Sequence, residues 1–197
     1  RILEFDPADR VMVVESGVIT AEIERLARSA GLFYPPDPGS APYCRIGGNL
    51  AMNAAGPRAV KYGVTRDYVL GLKAVAGDGR SLQTGCRTTK GVVGYDLTRL
   101  LVGSEGTLAL ITEATLRLLP APALTGTLRV CYDSTAHACD AVLRIMTQPV
   151  IPSALEFMDA QALAAIRRSG AADLPAGAQA LLMVEAITDF IFYTQHS

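Results

Sequence analysis

The sequence has 197 residues, half of them hydrophobic and 19% charged, with a formal net charge of −1. That is enough apolar material for one large domain or two small ones and argues against a disordered chain, while the lack of a basic block excludes a surface that binds nucleic acid by neutralising phosphates. Apolar runs such as Ala180 to Val184 fall far short of the ~20 residues that cross a bilayer.

Arg1 to Phe5 reads directly as a strand, and Val11-Met-Val-Val-Glu15 as a second one followed by a turn at Gly17. Ile23, Leu26, Ala27 and Ala30 recur at helical spacing, with Thr20 as the expected N-cap and Gly31 just past the end. Tyr34 to Pro42 carries four prolines and reads as an irregular loop. Ile46-Gly47-Gly48-Asn49 follows, with helix-compatible small residues from Leu50 to Ala55. Tyr68 to Ala76 and Arg80 to Thr84 flank Gly77-Asp78-Gly79, a hairpin signal, and Leu108 to Leu119 is a further strand region. Pro120-Ala-Pro122 reads as a boundary. Beyond it, strands over Leu128–Cys131, Ala154–Phe157 and Ala180–Glu185 alternate with helices over Ala136–Met146 and Ala160–Arg167. The abrupt entry at Arg1 and the change of pattern after Ala186 give the expectation of a fragment, truncated at the front and interrupted at the back.

Cys44, Cys86, Cys131 and Cys139 lack the spacing of a disulfide framework and read as reduced thiols. With no basic-then-apolar segment at the front, the expected location is cytoplasmic, with peripheral membrane attachment open through a partner subunit. Cys131, His137 and Cys139 lack a fourth ligand, so no metal site is expected.

Three segments carry candidate chemistry. In the first, glycines at 47 and 48 let backbone turn and approach a ligand, and their N–H groups before a helix suit a phosphate. Asn49 and Asn53, four apart, would share one helix face near a flat heterocycle. A structural turn with Asn caps explains the same residues equally well, and the pattern matches neither a Rossmann fingerprint nor a P-loop. The second segment is Lys61 to Asp67 and the third is Gly94 to Leu108, where Gly103 and Gly106 bracket Ser104-Glu105 before an apolar strand.

Together these pieces resemble the FAD-binding domain of the vanillyl-alcohol-oxidase-type (PCMH-type) flavoproteins, in the branch of the glycolate oxidase GlcD subunit and the D-lactate dehydrogenases. The matching stretches are YPPDPGS, IGGNLAMNAAGP, KYGVTRDYVLGL, GYDLTRLLVGSEGTLALITEATLRLLP and IPSALEFMD, spread over nearly the whole chain. The resemblance implies an α+β fold: part of an FAD-binding domain over 1–120, then the opening of a ferredoxin-like α/β cap domain over 121–197. It implies FAD as cofactor, held by Pro36, Asp37, Pro38, Ser40, Ile46, Gly47, Gly48, Asn49, Asn53, Gly56, Tyr62, Gly63, Thr65, Glu105, Gly106 and Ile111.

Departures from the family pattern are specific. Its members usually carry Ser or Thr just before Ile-Gly-Gly, where this chain has Cys44-Arg45. Arg45 either sets charge against the pyrophosphate or is simply solvated. The family's upstream pyrophosphate loop and its histidine-rich segment near the C-terminus have no match here, so no catalytic base is named. The resemblance implies oxidation of a small 2-hydroxyacid with hydride transfer to flavin, and electrons leaving to an acceptor or partner subunit. The alternatives are a non-catalytic flavin-binding or assembly subunit, or an inactive truncated product.

Overall fold

The computed structural model describes residues 1–88, 91, 94–170 and 174–188. They form two compact units, residues 1–56 with 62–121, and residues 57–61 with the described residues from 122 to 188.

The first unit is built on a five-stranded antiparallel sheet. Its strands are β1 (Ile2–Asp6), β2 (Val11–Glu15), β4 (Val69–Ala76), β5 (Ser81–Gly85) and β6 (Ala109–Arg117), in the order β1-β2-β6-β4-β5. β3 (Leu32–Phe33) pairs separately with β7 (Leu119–Pro120). The β-branched run of β2 supplies Val11, Met12 and Val14 to the core, all nearly fully buried. Gly79, at φ +85°, makes the turn between β4 and β5, a conformation an L side chain resists.

Helix α1 (Thr20–Ser29) buries Ile23 and Ala27. Its expected N-cap is corrected: Ile19 holds that position and makes no side-chain cap. Thr20 lies inside the helix, buried, where its hydroxyl accepts from Asn49 Nδ2 at 2.7 Å and from the Cys44 thiol at 3.3 Å. The Thr20 and Ala21 amides donate instead to the carbonyls of Cys44 and Ala41. The proline-rich loop thus satisfies this helix end, leaving the threonine hydroxyl to a buried amide.

Helix α2 (Ile46–Met52) begins at Ile46 and includes both glycines, whereas the sequence suggested a helix from Leu50 onward. Helix α3 (Ala59–Tyr62), a 3₁₀ turn over Thr65–Tyr68 and helix α4 (Leu97–Leu101) complete the connections. Tyr34 is almost wholly buried beside Tyr68, ring centroids 6.2 Å apart and edge-on. Burial pushes the Tyr68 phenol up to about 12, and its hydroxyl donates to the Tyr62 carbonyl at 2.7 Å. Burial also raises the Tyr34 phenol, with the Thr65 hydroxyl acting against the shift.

The second unit contains β8 (Leu124–Tyr132), α5 (Thr135–Met146), β9 (Ala154–Met158), α6 (Ala160–Ser169) and β10 (Ala180–Thr188). Both outer strands run antiparallel to β10, in the order β8-β10-β9. Ser134 and Asp159 cap α5 and α6 by accepting from the amides of His137 and Ala162. Alternate residues of β10 face different helices. Ala180 and Leu182 cluster with Ala138 of α5, while Leu181 clusters with Leu163 of α6. His137 bonds Asp133 at 2.8 Å.

Tyr34→Phe, which removes a buried hydroxyl beside Thr65, is expected to change stability by no more than about 1.5 kcal/mol in equilibrium unfolding. Asn49→Ala, which leaves the buried Thr20 hydroxyl only the weak Cys44 thiol as donor, is expected to lose about 1–3 kcal/mol in the same equilibrium measurement.

Candidate functional site: a glycine-walled cleft

Helix α2 is held at both ends by backbone from distant parts of the chain. At its start, the Ile46 amide donates to the Val18 carbonyl at 2.8 Å and the Gly47 amide to Ser16 at 2.9 Å. The Gly48 and Asn49 amides both donate to Arg45, at 3.0 and 3.3 Å. The sequence reading offered N–H groups of Gly47 and Gly48 to a phosphate; in the fold they are spent on protein carbonyls. Neither glycine has positive φ, so the expected sharp turn there is also replaced by helix. Gly47 is required for packing, because a Cβ would lie 2.8 Å from Ser16 Cβ and 2.9 Å from the Ser16 carbonyl oxygen. A Cβ on Gly48 meets nothing within 4 Å.

The other end of α2 rests on the Gly103–Gly106 loop. Gly103, Glu105 and Gly106 all have positive φ, at 86°, 54° and 75°. The curled backbone aims the Gly103 and Glu105 amides at the carbonyls of Leu50 and Ala51, both at 2.9 Å. The Ala51 carbonyl near the helix C-terminus is thereby satisfied, and the Leu50 carbonyl gains a second, shorter donor besides the Asn53 amide at 3.3 Å. Asn53 caps the same end in the left-handed region, φ 50°, and its side-chain oxygen accepts from the Arg66 amide at 2.9 Å. Arg66 in turn donates through Nη2 to the Val102 carbonyl at 2.7 Å.

These contacts leave a half-open cleft of about 310 Å³ between the Ser16–Gly17 turn, the first turn of α2 and the start of β6. Of the residues expected to bind a cofactor, it brings together Gly47, Gly48, Gly106 and Ile111. Gly17, Gly48 and Gly106 would each place a Cβ in open space, so this wall is bare backbone. Leu110, 70% exposed, and Ile111 add apolar surface. Arg45, which also lines the cleft, donates through Nη1 to the Gly17 carbonyl at 2.5 Å. Gly17, Arg45, Ala51 and Leu110 were not singled out as binding residues from sequence. The departure at Arg45 was the one available signal.

The remaining expected residues lie elsewhere in the framework, outside the cleft lining. Ile46 is core, and the Asn49 side chain is buried against α1, so the two asparagines do not share a helix face toward a ligand. Pro36 and Pro38 are buried, Asp37 is half-buried and Ser40 is exposed, its carbonyl accepting from the Tyr43 and Cys44 amides at 2.8 Å. Gly56 packs on the Asp37 backbone so closely that a Cβ would overlap the Asp37 carbonyl. Thr65 is buried and donates its hydroxyl to the Ala54 carbonyl at 2.8 Å. Tyr62 packs edge-on to Phe33, with ring centroids 5.4 Å apart. Gly63, at φ +81°, faces the Asp67 carboxylate. Glu105 is exposed. A larger open hollow of about 920 Å³, beside Arg66, Arg99 and Arg117, contains none of the expected residues.

The Asp67 carboxylate accepts from the Val64 amide and from Arg99, both at 2.9 Å. Burial works to raise its pKa, but these two donors prevail and hold it below the ordinary aspartate value.

The cleft is thus walled by side-chain-free backbone with an apolar strand along one side, a surface that a flat ligand can approach closely. Residues 1–85 match the FAD binding domain family, and residues 121–190 match the C-terminal domain of FAD linked oxidases. The chain belongs to the FAD-linked oxidases. It is 45% identical over 185 residues to the glycolate oxidase subunit GlcD of Bacillus subtilis (strain 168), covering 94% of this chain and 39% of that one. The D-lactate dehydrogenase of Anaerostipes hadrus is 41% identical over 159 residues, covering 81% and 33% respectively. For the D-2-hydroxyglutarate dehydrogenase of Stutzerimonas stutzeri (strain A1501), identity is 38%, with 96% of this chain and 41% of that one covered. Thus the chain spans about 33–41% of the length of these curated relatives. A solved alkyldihydroxyacetonephosphate synthase shares the fold with TM-score 0.75 at 23% identity, over 95% of this chain and 36% of that chain.

Gly56→Ala is expected to cost about 1–3 kcal/mol in denaturant unfolding, because the added methyl must displace Asp37 backbone. For Asp67, a lowered folded-state pKa stabilises above the ordinary aspartate range, and this contribution is lost as pH falls through the depressed value. Asp67→Asn is expected to be less stable than wild type at neutral pH. The difference should shrink as unfolding is measured at increasingly acidic pH.

Proposed function

We propose that this chain holds FAD against the α2–β6 cleft, within an enzyme that oxidises a small 2-hydroxyacid of the glycolate or D-lactate type. The observation that carries the reading is the wall of Gly17, Gly48 and Gly106, three positions from separate segments where a Cβ would point into open space. Such a wall lets a planar or extended ligand approach the backbone directly. Leu110 and Ile111 give a ring system apolar contact and exclude water from that side. Bound flavin would supply the hydride acceptor, the step no amino-acid side chain performs.

The framework residues keep the cleft open rather than touch the cofactor. Thr65, Asn53 and Gly56 fix the chain that follows α2, and the Gly103 and Glu105 amides fix the loop that begins β6. Residues 1–120 serve as cofactor domain and 121–197 as the opening of a cap domain on the substrate side. No residue of this chain is assigned as the base that removes the hydroxyl proton. The likeness to a relative named as a subunit supports partner subunits and an external electron acceptor. Among the described residues no helix is long and apolar enough to cross a membrane. The free thiols of Cys44, Cys86, Cys131 and Cys139 support a cytoplasmic location, with peripheral attachment through partners.

Gly48→Val tests the cofactor reading. A Cβ at this position meets nothing within 4 Å, so the variant is expected to melt within a few degrees of wild type. It is expected to lose flavin absorbance on purification, and normal flavin content in a folded variant overturns the placement. With flavin bound to wild type, anaerobic addition of glycolate or D-lactate is expected to bleach its absorbance. Failure of both acids overturns the substrate class.

A further inference from the structure

We propose that the arginine-lined hollow beside β5 and α4 binds a small anion with paired oxygens, a carboxylate or a phosphate. At about 920 Å³ it is larger than the cofactor cleft and shares no lining residue with it. Arg66 of the 3₁₀ turn, Arg99 of α4 and Arg117 at the end of β6 all line it, against two carboxylates, Asp67 and Asp96. Elements well separated in sequence thus deliver three guanidinium groups to one opening.

Both carboxylates are already committed. Asp67 accepts from Arg99 Nη2 and from the Val64 amide, both at 2.9 Å. Asp96 caps α4 by accepting from the Arg99 amide at 2.8 Å. Arg66 and Arg117 are held by neutral carbonyls instead. Arg66 donates through Nη2 to Val102 at 2.7 Å. Arg117 donates through Nη2 to the Asp67 carbonyl at 3.3 Å and lies over the Tyr68 ring, 5.2 Å from its centroid. Among the described residues neither forms a salt bridge, so each is positioned without being neutralised. Arg99 and Arg117 moreover converge on one residue, Asp67. Positive charge gathered in a concave surface concentrates counter-ions there, and the planar guanidinium fork matches paired oxygens. The Thr84 and Thr98 hydroxyls, also in the lining, bond each other at 2.8 Å, which leaves one of the two O–H groups to donate to a bound oxygen.

Calorimetric titration of the chain at fixed ionic strength tests this, with malonate and inorganic phosphate as probes and chloride as control. Wild type is expected to bind malonate, phosphate or both saturably; malonate alone assigns the site to carboxylates, phosphate alone to phosphates. Arg66→Gln and Arg117→Gln are each expected to weaken binding about tenfold, the loss of one charge-assisted contact, and Arg117→Lys less. Arg25→Gln, which removes the same charge from an exposed position on α1, is expected to bind as wild type. The proposal is overturned by wild type binding neither probe, by chloride binding as tightly, by unchanged binding in both Arg66→Gln and Arg117→Gln, or by an equal loss in Arg25→Gln. If the hollow variants do not fold, phenylglyoxal labelling of wild-type arginines decides. Bound anion is expected to slow modification of Arg99 and Arg117 but not of Arg25, and identical rates with and without it overturn the site. No readout involves flavin, so failure here is distinct from failure of the cofactor reading.

Discussion

The first unit depends on a short helix whose polar ends are satisfied by backbone from elsewhere. Seven residues of α2 give little intrinsic stability, since a helix this short is marginal in isolation. What fixes it is pairing: the Val18 and Ser16 carbonyls accept its first amides, and the Gly103 and Glu105 amides donate to its last carbonyls. The same four bonds bring the β2–α1 turn and the loop before β6 to opposite ends of one helix. The cleft is the space left between them.

Small residues make that arrangement possible in two different ways. Gly47 and Gly56 are small because protein backbone lies against them, at Ser16 and Asp37. Gly17, Gly48 and Gly106 are small where nothing in the protein lies against them. The first kind is a demand of packing and the second leaves room for a ligand. Only the neighbouring atoms tell the two apart, since the residue type is identical.

Charge follows the same division. Asp67, Arg99 and Arg66 tie the 3₁₀ turn to α4 and to the loop before β6, each with a protein partner within 3 Å. Arg45 is anchored by a carbonyl and keeps its charge at the cleft.

Local features were legible in the sequence. The β-branched run of β2, the 3.6-residue spacing of α1, the Gly77–Gly79 hairpin and the alternation after Pro122 each depend on residues near one another in the chain, and each appears in the structure. Motifs spaced along the chain also identified the family and its cofactor. What only the tertiary structure decided was the use of each polar group: Thr20 bonds Asn49 rather than capping α1, Asn53 caps a helix end and accepts from the Arg66 amide, and the Gly47 amide bonds the Ser16 carbonyl. The reason is physical. A donor or acceptor is assigned by whichever partner reaches it, and here the partners lie from 13 residues away, for Asn53, to 29, for Thr20, or more, where local patterns carry no information about direction or distance.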